Sequence, residues 1–286
     1  MANPKPHDEG ARSAGWKAAR MSLLTYAITC LLAGCFSAKL IYHPHPISTE
    51  EALAKAKAAD MERWVDPAGR QVGLKRLAYG GNPEGAVLIF HGNGGTASAC
   101  AWYATMLQRE ARLDCYALEY PGYENIPGVP RRDAVIAAAQ AALDSLDKRQ
   151  PVYLVGESLG TGVAAALAGR NPRRIAGVML LSPFRDLGDV AQEHFPWLPA
   201  RWLLFDENFR SADYLRDYRG PVGMLVDGKD RIVPASSGRE LYAGYAGPKR
   251  LWENPEGDHL QLDQDPGEFW KSVVAFWRSA ANTPTR

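Results

Sequence analysis

The chain has no charge excess to offer a polyanion. Its 33 Lys and Arg stand against 32 Asp and Glu, a net charge of +1, so nothing points to nucleic acid as a partner. Cysteine is scarce. The four residues Cys30, Cys35, Cys100 and Cys115 fit neither a zinc-ligand spacing nor a dense disulfide framework. Cys100 and Cys115 lie in apolar surroundings and are expected to be free buried thiols, with a disulfide between them as the lesser alternative. Internal repeats and low-complexity tracts are lacking too, which gives no support to a solenoid. His43 and His45 have no cysteine or carboxylate beside them, so a polar linker is a better reading than a metal site; no metal is expected. What remains is an ordinary globular composition, 46% hydrophobic and 23% charged over 286 residues. That length suits one large α/β domain with a tail.

The tail is residues 1–38. Lys17 and Arg20 precede a run from Met21 to Ala38 that carries no charge. Its first part, Met21–Leu32, has the length of a signal-peptide core and is short for a bilayer span. It ends in Leu32-Ala33-Gly34-Cys35, which resembles a bacterial lipobox: small residues suit the cleavage site, and the Cys35 thiol would carry the lipid. This implies a lipoprotein held at a membrane and facing the periplasm or exterior. A single uncleaved transmembrane anchor and a buried soluble helix stay open as alternatives. Residues 39–69 read as linker and helix. Pro44 and Pro46 stiffen the linker, and Ser48 with Glu51 forms a capping box for a helix over Ser48–Met61.

From about residue 70 to 282 the pattern alternates. Strands are expected at Gln71–Tyr79, Ala86–Phe90, Asp114–Glu119, Val152–Val155, Ala176–Leu181, Val222–Val226 and Arg250–Trp252. Helices are expected at Ala97–Arg109, Arg131–Leu146, Leu159–Gly169, Ser236–Tyr245 and Pro266–Ser279. The middle strands are apolar throughout, as strands covered on both faces must be, so a mostly parallel sheet with helices on both sides is predicted. Chemistry in such sheets sits at the carboxyl ends of strands. The segment Arg185–Leu215 between two strands is rich in aromatics and reads as a short cap; its aromatics could line an acyl pocket or pack a small helix pair.

Four segments at strand ends carry reactive groups. Val152–Val155 runs into Gly156-Glu157-Ser158-Leu159-Gly160 and then an Ala-rich helix, a sharp turn that would lift Ser158 to a helix N-terminus as a nucleophile. Ala86–Phe90 runs into His91-Gly92-Asn93-Gly94-Gly95, whose N–H groups can face an anion. Asn93 and Leu159 are the expected oxyanion-hole donors. Only His194 and His259 follow Ser158, and His259, past the last strand, is the better base. Asp227 and Asp230 both qualify as the acid. Asp230 is favoured because it follows the turn Gly228 and precedes an apolar Ile-Val-Pro that can pack the loop down; Asp227 would then bond within the loop. Asp258, adjacent to His259, would hold the ring poorly.

These motifs, with Glu119-Tyr120-Pro121-Gly122-Tyr123, resemble the α/β-hydrolase superfamily over about residues 70–275. More narrowly the chain is similar to membrane-anchored serine hydrolases that include eukaryotic depalmitoylases and serine aminopeptidase-like bacterial relatives. Three positions depart from that pattern: Asp227 where His is common, Thr161 where Gly is common and Glu119 where Asp is common. The resemblance implies an α/β-hydrolase fold and a serine hydrolase that cleaves carboxylic esters or thioesters through Ser158, His259 and Asp230 by way of an acyl-enzyme, with no cofactor. The alternatives are a serine peptidase acting on short peptides and, from another class, a non-catalytic binding protein on a hydrolase fold.

Overall fold

The computed structural model describes residues 7–35, 37–262 and 265–281. Among them, α1 (His7–Cys35), α2 (Ser37–Ile41) and α3 (Thr49–Ala58) precede the sheet. Strands β1 (Glu62–Val65), β2 (Gln71–Arg76) and β3 (Gly85–Phe90) lead to α4 (Ala101–Glu110). Then β4 (Leu113–Leu118), α5 (Arg132–Ser145), β5 (Val152–Glu157), α6 (Leu159–Arg170) and β6 (Ile175–Leu181) alternate. Helices α7 (Leu187–His194), α8 (Ala200–Leu203) and α9 (Ser211–Tyr214) fill the expected cap segment. The chain continues with β7 (Val222–Asp227), α10 (Ala235–Gly244), β8 (Lys249–Asn254) and α11 (Pro266–Ala281).

The strands form one eight-stranded sheet in the order β1-β2-β4-β3-β5-β6-β7-β8. Pairings from β4 through β8 are parallel, while β1–β2 and β2–β4 are antiparallel. This is the α/β-hydrolase fold. The apolar strands are covered on both faces. Leu88, Phe90, Leu154 and Val178 join the layer of α5 and α6, and Val87, Ile89, Val155 and Met179 join that of α4 and α11. Such dry strands belong inside a parallel sheet because burying a Val- or Leu-sized side chain is worth roughly 1.5–3 kcal/mol. The register puts Phe90 opposite both Leu118 and Gly156, Glu157 opposite Leu181, and Asp227 opposite Asn254. The carboxyl ends therefore share one edge, and the loops after β3, β5, β7 and β8 converge there.

The sheet begins earlier than the pattern predicts. β1 lies inside the stretch expected to be linker. Three of its four residues are exposed, so it carries no apolar alternation for a sequence to display. The expected capping contact is made: the Ser48 hydroxyl accepts the Glu51 N–H at 3.1 Å. Helix α4 starts four residues later than expected, because residues 96–100 form turns instead.

The N-terminal run is helical, and α1 presents Met21, Leu23, Leu24, Leu31 and Leu32 to the outside. No helix among the described residues is long and apolar enough to cross a membrane. Residues 1–6 and 36 of the expected tail lie outside the described residues, as does residue 282 at the expected domain end. Cys35 ends α1, and its side chain, with the lipidation expected there, also lies outside them. Cys100 and Cys115 are free and fully buried.

The cap aromatics divide. Phe209 is buried against Gly162 of α6, where an added Cβ would come within 2.7 Å of the Phe209 Cβ. Phe195, Trp197, Trp202 and Phe205 are exposed, and Phe195 meets Trp197 edge to face.

Candidate active site

Ser158 stands between β5 and α6 with φ +48° and ψ −118°, a strained conformation for a residue with a side chain. The two glycines around it make the turn possible. A Cβ on Gly156 would lie 2.4 Å from the Gly160 carbonyl oxygen, and one on Gly160 would lie 2.2 Å from that of Phe90. Side chains cannot occupy either place, so strand and helix close to contact and Ser158 projects at the helix N-terminus. Three bonds hold the turn: the Ser158 N–H donates to Leu181 O at 2.9 Å, and Ser158 O accepts both the Thr161 N–H at 2.9 Å and the fully buried Thr161 hydroxyl at 2.6 Å. Thr161, one of the departures from the family pattern, thus braces the serine.

The loop after β3 lies against this turn. A Cβ on Gly92 would meet the Ser158 Cβ at 3.4 Å. The Gly92 N–H donates to Glu157 Oε1 at 2.9 Å, and the Tyr103 hydroxyl donates to Glu157 Oε2. Among the described residues the N–H groups of Asn93 and Leu159 donate to no acceptor. These are the two donors predicted from sequence. Two unspent main-chain donors beside a serine hydroxyl can bind an oxyanion.

His91 is not at the surface of this site but wholly buried beneath the loop. Its Nδ1 faces Gly92 O at 2.8 Å and its Nε2 faces Glu119 Oε1 at 3.0 Å, while Glu119 Oε2 accepts the Ala97 N–H at 2.8 Å. Burial works against the imidazolium, yet the Glu119 carboxylate and the Gly92 carbonyl outweigh it, so the His91 pKa is raised. Neither Glu157 nor Glu119 was recognisable as a brace from sequence, for their partners stand 22 to 65 residues away.

The residues expected as base and acid meet directly. His259 Nδ1 lies 2.7 Å from Asp230 Oδ2, which leaves Nε2 as the ring's outward nitrogen. The other Asp230 oxygen accepts N–H groups from Ile232 and Val233, each at 2.8 Å. Burial alone would raise the Asp230 pKa, but the His259 ring and these N–H groups reverse it and hold the carboxyl below its usual range. Asp227 points elsewhere and accepts the Ser182 hydroxyl at 2.9 Å. The Ser182 oxygen accepts the Leu260 N–H at 3.2 Å and so anchors the residue after His259. Asp227 is almost fully buried, and its pKa is raised by that burial. Asp258 accepts its neighbour's main-chain N–H, that of His259, at 2.8 Å. His194 sits on the cap with Nε2 2.9 Å from Ile232 O.

Ser158 and His259 reach the same edge, because Leu181 accepts from Ser158 and the next residue, Ser182, accepts from Leu260. Among the described residues no hydrogen bond joins Ser158 Oγ to His259.

A family model for the alpha/beta hydrolase fold matches residues 85–215. An uncharacterized protein of Mycobacterium tuberculosis is 37% identical over 179 residues, 61% of this chain; the aligned part spans 62% of that relative's length. The Escherichia coli protein YfhR is 26% identical over 252 residues, covering 85% of both chains. Among solved structures, Est1E from Butyrivibrio proteoclasticus with bound ferulic acid superposes with a TM-score of 0.63 at 17% identity, over 78% of this chain and 100% of that one. A Pyrococcus furiosus esterase gives 0.59 at 16% identity, over 78% and 92%. At such identities these two show the fold alone. Sheet order, family model and solved neighbours agree on one point: the chain has the α/β-hydrolase fold.

Proposed function

We propose that the protein is a serine hydrolase that cleaves carboxylic esters or thioesters. The observation that carries this reading is the 2.7 Å contact of His259 Nδ1 with Asp230, made at the same sheet edge as Ser158. With Nδ1 donating to the carboxylate, Nε2 is the nitrogen able to take a proton. In this reading Ser158 attacks the acyl carbonyl while His259 takes its proton. The N–H groups of Asn93 and Leu159 bind the oxyanion, and His259 then protonates the leaving alcohol or thiol. Water, activated by His259, releases the acid. Asp230 orients the ring and stabilises its charged form throughout. The likeness to the Pyrococcus furiosus esterase supports an ester substrate.

Membrane tethering belongs to the same proposal. The lipobox-like Leu32-Ala33-Gly34-Cys35 supports a lipid on Cys35, and the intact mass of the mature protein tests it: a chain that starts at an acylated Cys35 is expected, and an unmodified full-length chain contradicts it.

The substrate class is tested by a matched series of esters, thioesters and aminoacyl amides of increasing acyl length. Turnover of the esters or thioesters, lost in Ser158→Ala, is expected. A preference for the amides would replace the esterase reading with the peptidase one.

A further inference from the structure

The connector between the N-terminal helices and the domain does not run free. Tyr42 is 2% exposed, and its hydroxyl donates to Glu207 Oε2 of the cap segment at 3.2 Å. Further on, the Ile47 N–H donates to Glu124 O at 3.2 Å. Between these two fixed points the chain passes over the loop after β3. The His43 N–H donates to Asn93 Oδ1 at 3.0 Å and lies 3.2 Å from the Tyr123 hydroxyl oxygen. The Asn93 Nδ2 donates to His43 Nδ1 at 3.3 Å. The His43 main chain and ring thus grip both ends of one amide, a two-point contact that leaves it little rotation. Tyr123 completes the grip, since its hydroxyl donates to Asn93 O at 2.8 Å.

This grip matters because of what Asn93 is asked to do. Its N–H must stay aimed at one point, yet it sits among Gly92, Gly94 and Gly95, which impose little conformational preference of their own. Glu157 pins the Gly92 side of the loop. On the Asn93 side the holders are Tyr123 and the connector, so the peptide that bears the oxyanion donor is oriented partly from outside the hydrolase domain. We infer that His43 is a positioning residue of the active site: through the Asn93 side chain it fixes the Asn93 N–H for the oxyanion, making the connector Tyr42–Ile47 a working wall of the site.

This inference rests on the reaction proposed above, and its test keeps the two apart. Asn93→Ala removes the gripped amide while retaining the main-chain N–H. His43→Ala is expected to lower kcat about fivefold with KM within about twofold. In an Asn93→Ala background the same His43 change is expected to add nothing, because the grip is already gone. His43→Asn, whose side-chain oxygen can stand where Nδ1 stood, is expected to restore most of the rate. Amide hydrogen exchange supplies a readout independent of turnover: the 91–96 loop should exchange faster in His43→Ala while the central strands keep their protection. Multiplicative losses in the double variant, or an unchanged loop exchange rate, would overturn the positioning role. If the wild-type protein hydrolyses nothing in the series, the serine-hydrolase reading falls, and the exchange experiment still decides whether the connector holds the loop.

Discussion

Glu157 and Gly92, 65 residues apart in the chain, are joined by a 2.9 Å hydrogen bond that sets the loop after β3 against the serine turn. Both oxygens of the carboxylate next to Ser158 are therefore engaged within the protein. The carboxylate accepts from the loop and from the Tyr103 hydroxyl, and so transmits the position of one motif to another. Removing it should loosen the loop without touching Ser158, Asp230 or His259. Glu157→Ala is expected to lower kcat by roughly tenfold to a hundredfold, with a smaller change in KM, as measured on a chromogenic ester. A variant with wild-type kcat would show that the loop holds its geometry without this brace.

Asp230→Asn should keep the fold and lose the tautomer. The amide cannot hold the His259 Nδ1 proton as the carboxylate does, so a loss of up to about four orders of magnitude in kcat is expected from steady-state kinetics.

The same carboxylate makes a pH-dependent contribution to stability. Its folded pKa lies below the unfolded value of about 3.9, so the group stabilises the fold above that pH, and the contribution disappears as pH falls through the lower, folded value. Urea unfolding from about pH 7 down to about pH 2 should show this portion of the acid loss in the wild type. In Asp230→Asn the curve should be flatter below about pH 4.

Gly160→Ala tests the closeness of strand and helix. Its Cβ would stand 2.2 Å from the Phe90 carbonyl oxygen, a backbone atom that cannot step aside. A loss of at least about 2 kcal/mol in unfolding free energy is expected, or failure to fold. An alanine variant within about 0.5 kcal/mol of wild type would mean that the turn has room it does not show.

Much of this architecture was legible in the sequence because its signals are local. The apolar runs of β3, β5 and β6 announce a parallel sheet, and the glycines around Ser158 announce a turn that only glycine permits. Asp230 was favoured over Asp227 for the turn glycine before it and the apolar Ile-Val-Pro after it, and Asp230 is the one that meets His259. What was not legible depends on partners distant in the chain. Strand β1 hides because three of its four residues face outward. Glu119, Glu157 and Asp227 reveal their roles only once the fold brings His91, Gly92 and Ser182 to them. The histidine of the connector looked like an ordinary linker residue because nothing near it in sequence predicts Asn93. The cap could be placed but not interpreted, since composition does not say which aromatics turn inward: Phe209 does, and Trp202 does not.

The central claim is that Ser158 is a nucleophile activated by His259. It is tested most directly by exposing the protein to a fluorophosphonate and mapping the adduct by peptide mass spectrometry. A single phosphonylated residue, Ser158, is expected, with labelling abolished in Ser158→Ala and slowed in His259→Ala. Equal labelling of Ser158→Ala, or an adduct on another residue of the wild type, would contradict it.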